Sequence, residues 1–208
     1  MTSLFPAPHL DVRERRHGHF FWQSVRKSIY LHIESPRMFD ADRWNYRMIN
    51  TRDEIERRLS AVEGLPISAV HHAAGTLTMQ FGSLRPVANF KGAIRHVGEW
   101  SLHVQCNWKI EQAGSAIATQ DDLFGPDEKA HRSAQRIDDL LVKQGPAIVK
   151  GVSGSEEGGA DILLSGGLRL VISPNSAPDE EDWRFFDPTS DTKHFIIEGG
   201  KVDPWSLS

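Results

Sequence analysis

The 208-residue chain carries one cysteine, Cys106, and contains no apolar run near the roughly 20 residues that a helix needs to cross a bilayer. A lone thiol excludes an internal disulfide scaffold, and the lack of a glycine period excludes a collagen-like one. No basic segment followed by an apolar core opens the chain, so no secretory leader is expected. Together with the unpaired thiol, this predicts a cytoplasmic protein with no membrane association. Metal and nucleotide signatures are missing too. There is no CxxC, no HExxH, no EF-hand spacing, no GxSxG elbow, and neither GxGxxG nor GxxxxGK[ST]. No internal repeat is visible.

Ample material for a core is present. Apolar residues make up 39% of the chain, with 6 Trp, 2 Tyr and 10 Phe. That argues against a disordered polymer. Lys and Arg number 24 against 28 Asp and Glu, a net charge of −4 that is unevenly spread. Counted along the sequence, residues 1–60 carry +3, residues 61–119 carry +1 and residues 120–208 carry −8. An acidic last third can steer the protein toward a basic partner and argues against nucleic acid as a partner.

Periodicity predicts an α+β fold, a mainly antiparallel curved sheet with two principal helices at about 51–63 and 126–144. In the first helix Ile55, Leu59 and Val62 form an apolar stripe, with Thr51 and Glu54 at capping-box spacing. Ala130, Ala134, Ile137 and Leu141 do the same in the second, which opens at Pro126 with Asp127 and Glu128 and stops at Gly145–Pro146. The clearest strand is 99–110. Trp100, Leu102, Val104, Cys106, Trp108 and Ile110 fall on one face in period 2. Further strands are expected at 28–34, 76–81, 115–119, 147–152, 162–164, 168–172, 183–186 and 194–197, with a hairpin turn at Gly166–Gly167. Residues 1–50 read as a partly irregular extension packed on a single α+β domain spanning 51–208.

Candidate chemistry is sparse. The ten histidines include His17 and His19 at HxH spacing and the adjacent His71 and His72, yet no third metal ligand stands at a telling distance. No metal and no cofactor are expected. Cys106, among inward apolar residues, reads as a small buried hydrophobe. The DEED run Asp179–Asp182 reads as a solvated loop, and Asp121–Asp122 as polar residues ahead of a helix. On the polar face of the 99–110 strand, His103, Gln105, Asn107 and Lys109 make a row of hydrogen-bonding groups, the candidate binding surface. Trp22, Trp44 and Trp205, in weakly periodic segments, are candidate anchors to the body or to a partner.

Ala69–Gly82 (AVHHAAGTLTMQFG) and Trp100–Ile110 (WSLHVQCNWKI), followed by Asp121–Asp122 and Trp183–Phe186, carry a resemblance. Over 65–197 the chain resembles a family of small bacterial proteins with an "FG … LHVQCPWR … D" pattern. It departs from that pattern at Asn107, where Pro is expected, and at Lys109, where Arg is. The resemblance implies no activity and no catalytic residues. It suggests an immunity-like or accessory protein beside a toxin or defence system.

The function expected is therefore a non-enzymatic protein-binding module whose partner offers a basic surface. The alternative is a small hydrolase or nucleotide-handling enzyme in which His103 and Asp121 or Asp122 form a general-base pair. A second alternative is a nucleic-acid accessory role through the basic stretch Arg13–Arg16. Composition leaves the oligomeric state open.

Overall fold

In the computed structural model, residues 49–73, 75–88, 92–175 and 177–207 are described. The expected strand at 28–34, His17, His19, Arg13–Arg16, Trp22, Trp44 and the packing of residues 1–48 lie outside them. The described residues fall in one unit.

The fold is α+β, and every strand pair is antiparallel. Helix α1 (Thr51–Leu59) runs on into a short 3-10 turn, Ser60–Val62, close to the expected span. Its cap is Asn50, however, whose side chain accepts the Asp53 N–H at 3.1 Å. Thr51 is instead the first helical residue and is buried. Helix α2 (Asp127–Asp138) continues as a π-helical turn, Asp139–Lys143. Pro126 stands just before it, at the N-cap.

Among the described residues thirteen strands form three sheets rather than the single one expected. The first sheet has six strands in the order β1 (Ile67–Ala73), β2 (Thr76–Phe81), β5 (Trp100–Val104), β11 (Glu181–Phe186), β12 (Phe195–Glu198) and β13 (Lys201–Val202). A second sheet of five strands is ordered β7 (Ser115–Thr119), β6 (Asn107–Gln112), β10 (Leu168–Ser173), β9 (Ala160–Leu164) and β8 (Val149–Gly154). Among the described residues strands β3 (Arg85–Ala88) and β4 (Ile94–Val97) pair only with each other, as a two-stranded ribbon. Thus the five-stranded sheet and α2 are an excursion between β5 and β11, which are neighbours in the first sheet.

The long strand expected at 99–110 is corrected by this topology. It breaks at Gln105–Cys106, so that β5 belongs to one sheet and β6 to the other. Both backbone N–H groups at the break donate to the Asp182 carbonyl, at 2.8 and 3.0 Å. Burial still alternates across it: Leu102, Val104, Cys106, Trp108 and Ile110 are all buried. One apolar cluster joins these residues to Ile55 and Leu59 of α1, Ile137 of α2, Trp183 of β11 and Ile172 of β10. Register shifts in β1, β6, β8 and β11 accommodate the bending of the sheets around this core.

Carboxylates from the helices close two sheet edges. Asp138 of α2 accepts the Val70 N–H of edge strand β1 at 3.1 Å. Glu56 of α1 accepts the Gly154 N–H of edge strand β8 at 3.1 Å, and Glu63 the Val152 N–H at 3.3 Å. An edge whose donors are already engaged is a poor template for another strand.

Candidate functional site

The polar row read from sequence is divided by the strand break. His103 sits in β5 of the six-stranded sheet, Gln105 at the break, and Asn107 and Lys109 in β6 of the five-stranded sheet. Lys109 is occupied by Glu111 at 2.6 Å. Glu111 in turn faces Arg169 at 3.6 Å, and Arg169 binds Asp161 at 2.5 Å. Lys109 first, then Arg169, holds the Glu111 carboxyl below its usual range. This network is a cross-strand ladder on an exposed sheet face, an ordinary device for pairing strands.

His103 has richer surroundings. Its pairing partners are Thr78 on β2 and Arg184 on β11. The ring stands edge-on to Phe186, 4.9 Å between centroids, and Phe186 stacks flat on His194 at 3.9 Å. Arg184 binds the Glu181 carboxylate with two nitrogens and lies 3.5 Å from His194 Nδ1. Gln105 Nε2 donates to the same Glu181 at 2.9 Å. Burial, then the Arg184 charge, pushes His103 down to about 4, and the same two causes lower His194. The His103 ring is therefore neutral at pH 7.

That arrangement is a poor proton-transfer machine. A general base needs a pKa near the working pH and a partner that orients it. Among the described residues nothing hydrogen-bonds to the His103 ring, and Glu181, the carboxylate whose charge acts on it, is committed to Arg184 and Gln105. Asp121 and Asp122 are not joined to it. They lie in the 3-10 turn Gln120–Leu123, which packs against α2, β2, β6 and β7. Asp122 accepts the Thr119 N–H at 2.9 Å and faces Arg136 at 3.4 Å, so it caps a turn. A cleft among the described residues lies elsewhere. It is open, about 320 Å³, and bordered by Ser153, Ser155, Asp161 and Arg169.

Cys106 is buried, and its thiol is pushed up to about 12 by burial and then by Asp182. His71 and His72 are consecutive in β1, and His72 faces His131 of α2 at 6.2 Å. Among the described residues no three His, Cys, Asp or Glu side chains converge as a metal site. None of their helices is long and apolar enough to cross a membrane.

The DEED run needs correction in half its length. Asp179 and Glu180 are exposed, but Glu181 and Asp182 belong to β11, and Asp182 is 4% exposed. Its carboxylate accepts the Asn175 N–H at 2.9 Å and the Gly200 N–H at 2.8 Å. Trp183 Nε1 donates to the Gly158 carbonyl at 2.8 Å, and Gly199 N–H to the Glu180 carbonyl at 3.0 Å. A Cβ on Gly158 would lie 2.7 Å from the Gly200 carbonyl oxygen, so these turns are in direct contact. The β8–β9 turn, residues 177–180 and the β12–β13 turn are thereby drawn to one end of the molecule. Four exposed carboxylates, Glu156, Glu157, Asp179 and Glu180, ride on them.

Sequence reasoning missed Glu181, Arg184, Phe186 and His194 as neighbours of His103. The sequence reading offers 183–186 as a strand, but no local signal pairs β11 with β5 across about 80 intervening residues. Comparison with protein-family models, with curated proteins and with solved structures finds no match to the chain.

Proposed function

We propose that this protein is a non-enzymatic, cytoplasmic protein-binding module that engages a basic surface of its partner through the acidic end. An immunity-like or accessory role, suggested by the resemblance to small bacterial proteins, fits that reading. The observation that carries it is the placement of Glu156, Glu157, Asp179 and Glu180 on turns tied together through β11 and the β12–β13 turn: Gly158 through Trp183, Glu180 through Gly199, and Gly200 through Asp182. Separate acidic runs come together there, with Arg52 at 3.7 Å from Glu156 and Lys201 on the Glu156 carbonyl offsetting part of the charge and leaving Glu157, Asp179 and Glu180 in excess. Such a surface speeds encounter with a basic partner and selects against acidic ones. The hydrolase alternative draws no support from the site, because His103 and Asp121 or Asp122 form no pair. The alternative through Arg13–Arg16 rests on residues outside those described.

The test is affinity capture from the native host, followed by calorimetry with the captured protein. A Glu156→Lys, Glu157→Lys, Glu180→Lys variant should bind about tenfold or more weakly, mainly through slower association at low salt. Capture of nothing above background, or equal affinity in the variant, would count against the proposal.

A further inference from the structure

We propose that the β3–β4 ribbon is an arm that binds the phosphate backbone of double-stranded nucleic acid, independently of the acidic end. No Asp or Glu occurs between Glu63 and Glu99, a window that includes the whole ribbon. Within it, Arg85 pairs across the ribbon with Val97, and Arg95 with Val87. Directly paired residues share a face, so both guanidiniums project from the same side. The two residues are diagonal neighbours, with Cα atoms about 7–8 Å apart at that register. Both are exposed, and among the described residues no carboxylate forms an ion pair with either. Exposed His96 adds a third basic group on the opposite face.

The ribbon is built to project. Among the described residues neither strand joins the other sheets, and the base of the ribbon is clamped on both sides. Ser83 N–H donates to Glu99 Oε1 at 3.0 Å, and Gly98 N–H to the buried Gln80 Oε1 at 2.8 Å. Gly98 lies so close to β2 that a Cβ there would meet the Phe81 carbonyl oxygen at 2.5 Å. A two-stranded ribbon fits the major groove, about 12 Å wide. Two like charges on neighbouring positions with no counter-charge among the described residues repel each other, and a polyanion laid along that face removes the repulsion. Symmetric pairing of two ribbons would instead bring Arg95 toward its own copy, which disfavours a second chain as occupant.

Fluorescence anisotropy of the full chain with a short labelled duplex, at about 50 and 200 mM salt, tests this. Two phosphate contacts predict a slope of log affinity on log salt of about −2, roughly a tenfold loss over that range. An Arg85→Gln, Arg95→Gln variant changes only exposed side chains; with an unaltered circular dichroism spectrum it should lose that slope and most of the affinity. An Arg13→Gln, Arg15→Gln, Arg16→Gln variant, run alongside, should retain both. The proposal is overturned by no binding at the lower salt or by equal binding in the ribbon variant. Loss of binding in the N-terminal variant alone also overturns it. Poly-glutamate binding as tightly as the duplex would overturn it as well, in favour of an acidic protein partner.

Discussion

At the residue scale, His103 shows how a polar side chain can be conspicuous in sequence and chemically quiet in structure. Its ring is half-buried against Phe186 and faces the Arg184 guanidinium, both of which disfavour a proton. The unfolded chain takes up that proton near pH 6.5, whereas the folded one resists until about 4. Stability from this group is therefore intact above about pH 6.5, drains as pH falls toward 4, and changes no further below. The full shift would be worth about 3 kcal/mol, and partial solvent exposure reduces it to about 1–2 kcal/mol. His194, lowered for the same reasons, drains in the same direction. Urea unfolding of the protein and of His103→Asn at pH 7 and about 4.5 should show the variant losing about 1–2 kcal/mol less on acidification. Parallel pH dependence in the two would refute a role for the ring. The histidine was legible as a strand residue on the polar face. The stacked neighbours that set its chemistry were not, because they arrive from strands far along the chain.

At the element scale, the helices do two jobs. Their apolar stripes, visible in sequence, feed the core through Ile55, Leu59, Ile137 and Leu141. Their carboxylates also finish the sheet edges, which no periodicity announces. Asp138 is the clearer case, since it supplies the acceptor for a backbone donor of β1 that has no strand beside it. Removing it should cost about 1–3 kcal/mol, the penalty for a part-buried N–H left without its charged partner. Asp138→Ala is therefore expected to lower the urea midpoint and to speed exchange of the Val70 amide ahead of its neighbours in β2. An unchanged midpoint with unchanged Val70 exchange would show that water replaces the carboxylate at no cost. Lys143 also contacts Asp138, at 3.3 Å, so Lys143→Ala is the control that removes the ion pair and keeps the edge acceptor. The ribbon was illegible for a related reason. Its four-residue strands are mostly exposed, one contains Pro86, and neither alternates between apolar and polar.

At the scale of the whole molecule, one apolar cluster serves two sheets, and the chain passes between them at Cys106. Period-2 alternation continues unbroken through this crossing, because both sheets turn the same side of the chain toward the core. Hydrophobic pattern reports which face is buried and says nothing about which partner is bonded, so a sheet switch and a straight strand look alike in sequence. The crossing is also where a chemical probe can follow global opening. Cys106 is 1% exposed and its thiol is raised from 9.0 to about 12, so at mildly alkaline pH it holds about a thousandfold less thiolate than a free cysteine. To reach it, a reagent must separate β5 and β6 from β11, whose Asp182 carbonyl accepts both N–H groups of the crossing. That separation parts the β5–β11 ladder of the six-stranded sheet, which the motion of a single side chain does not do. Labelling with a thiol reagent should thus be at least about a thousandfold slower in native buffer than in denaturant. Its logarithm should also rise with urea at the slope of global unfolding, since opening must expose the surface of the whole core. A markedly shallower slope would mean that the two sheets part before the core melts, and that the crossing is a hinge between separable halves.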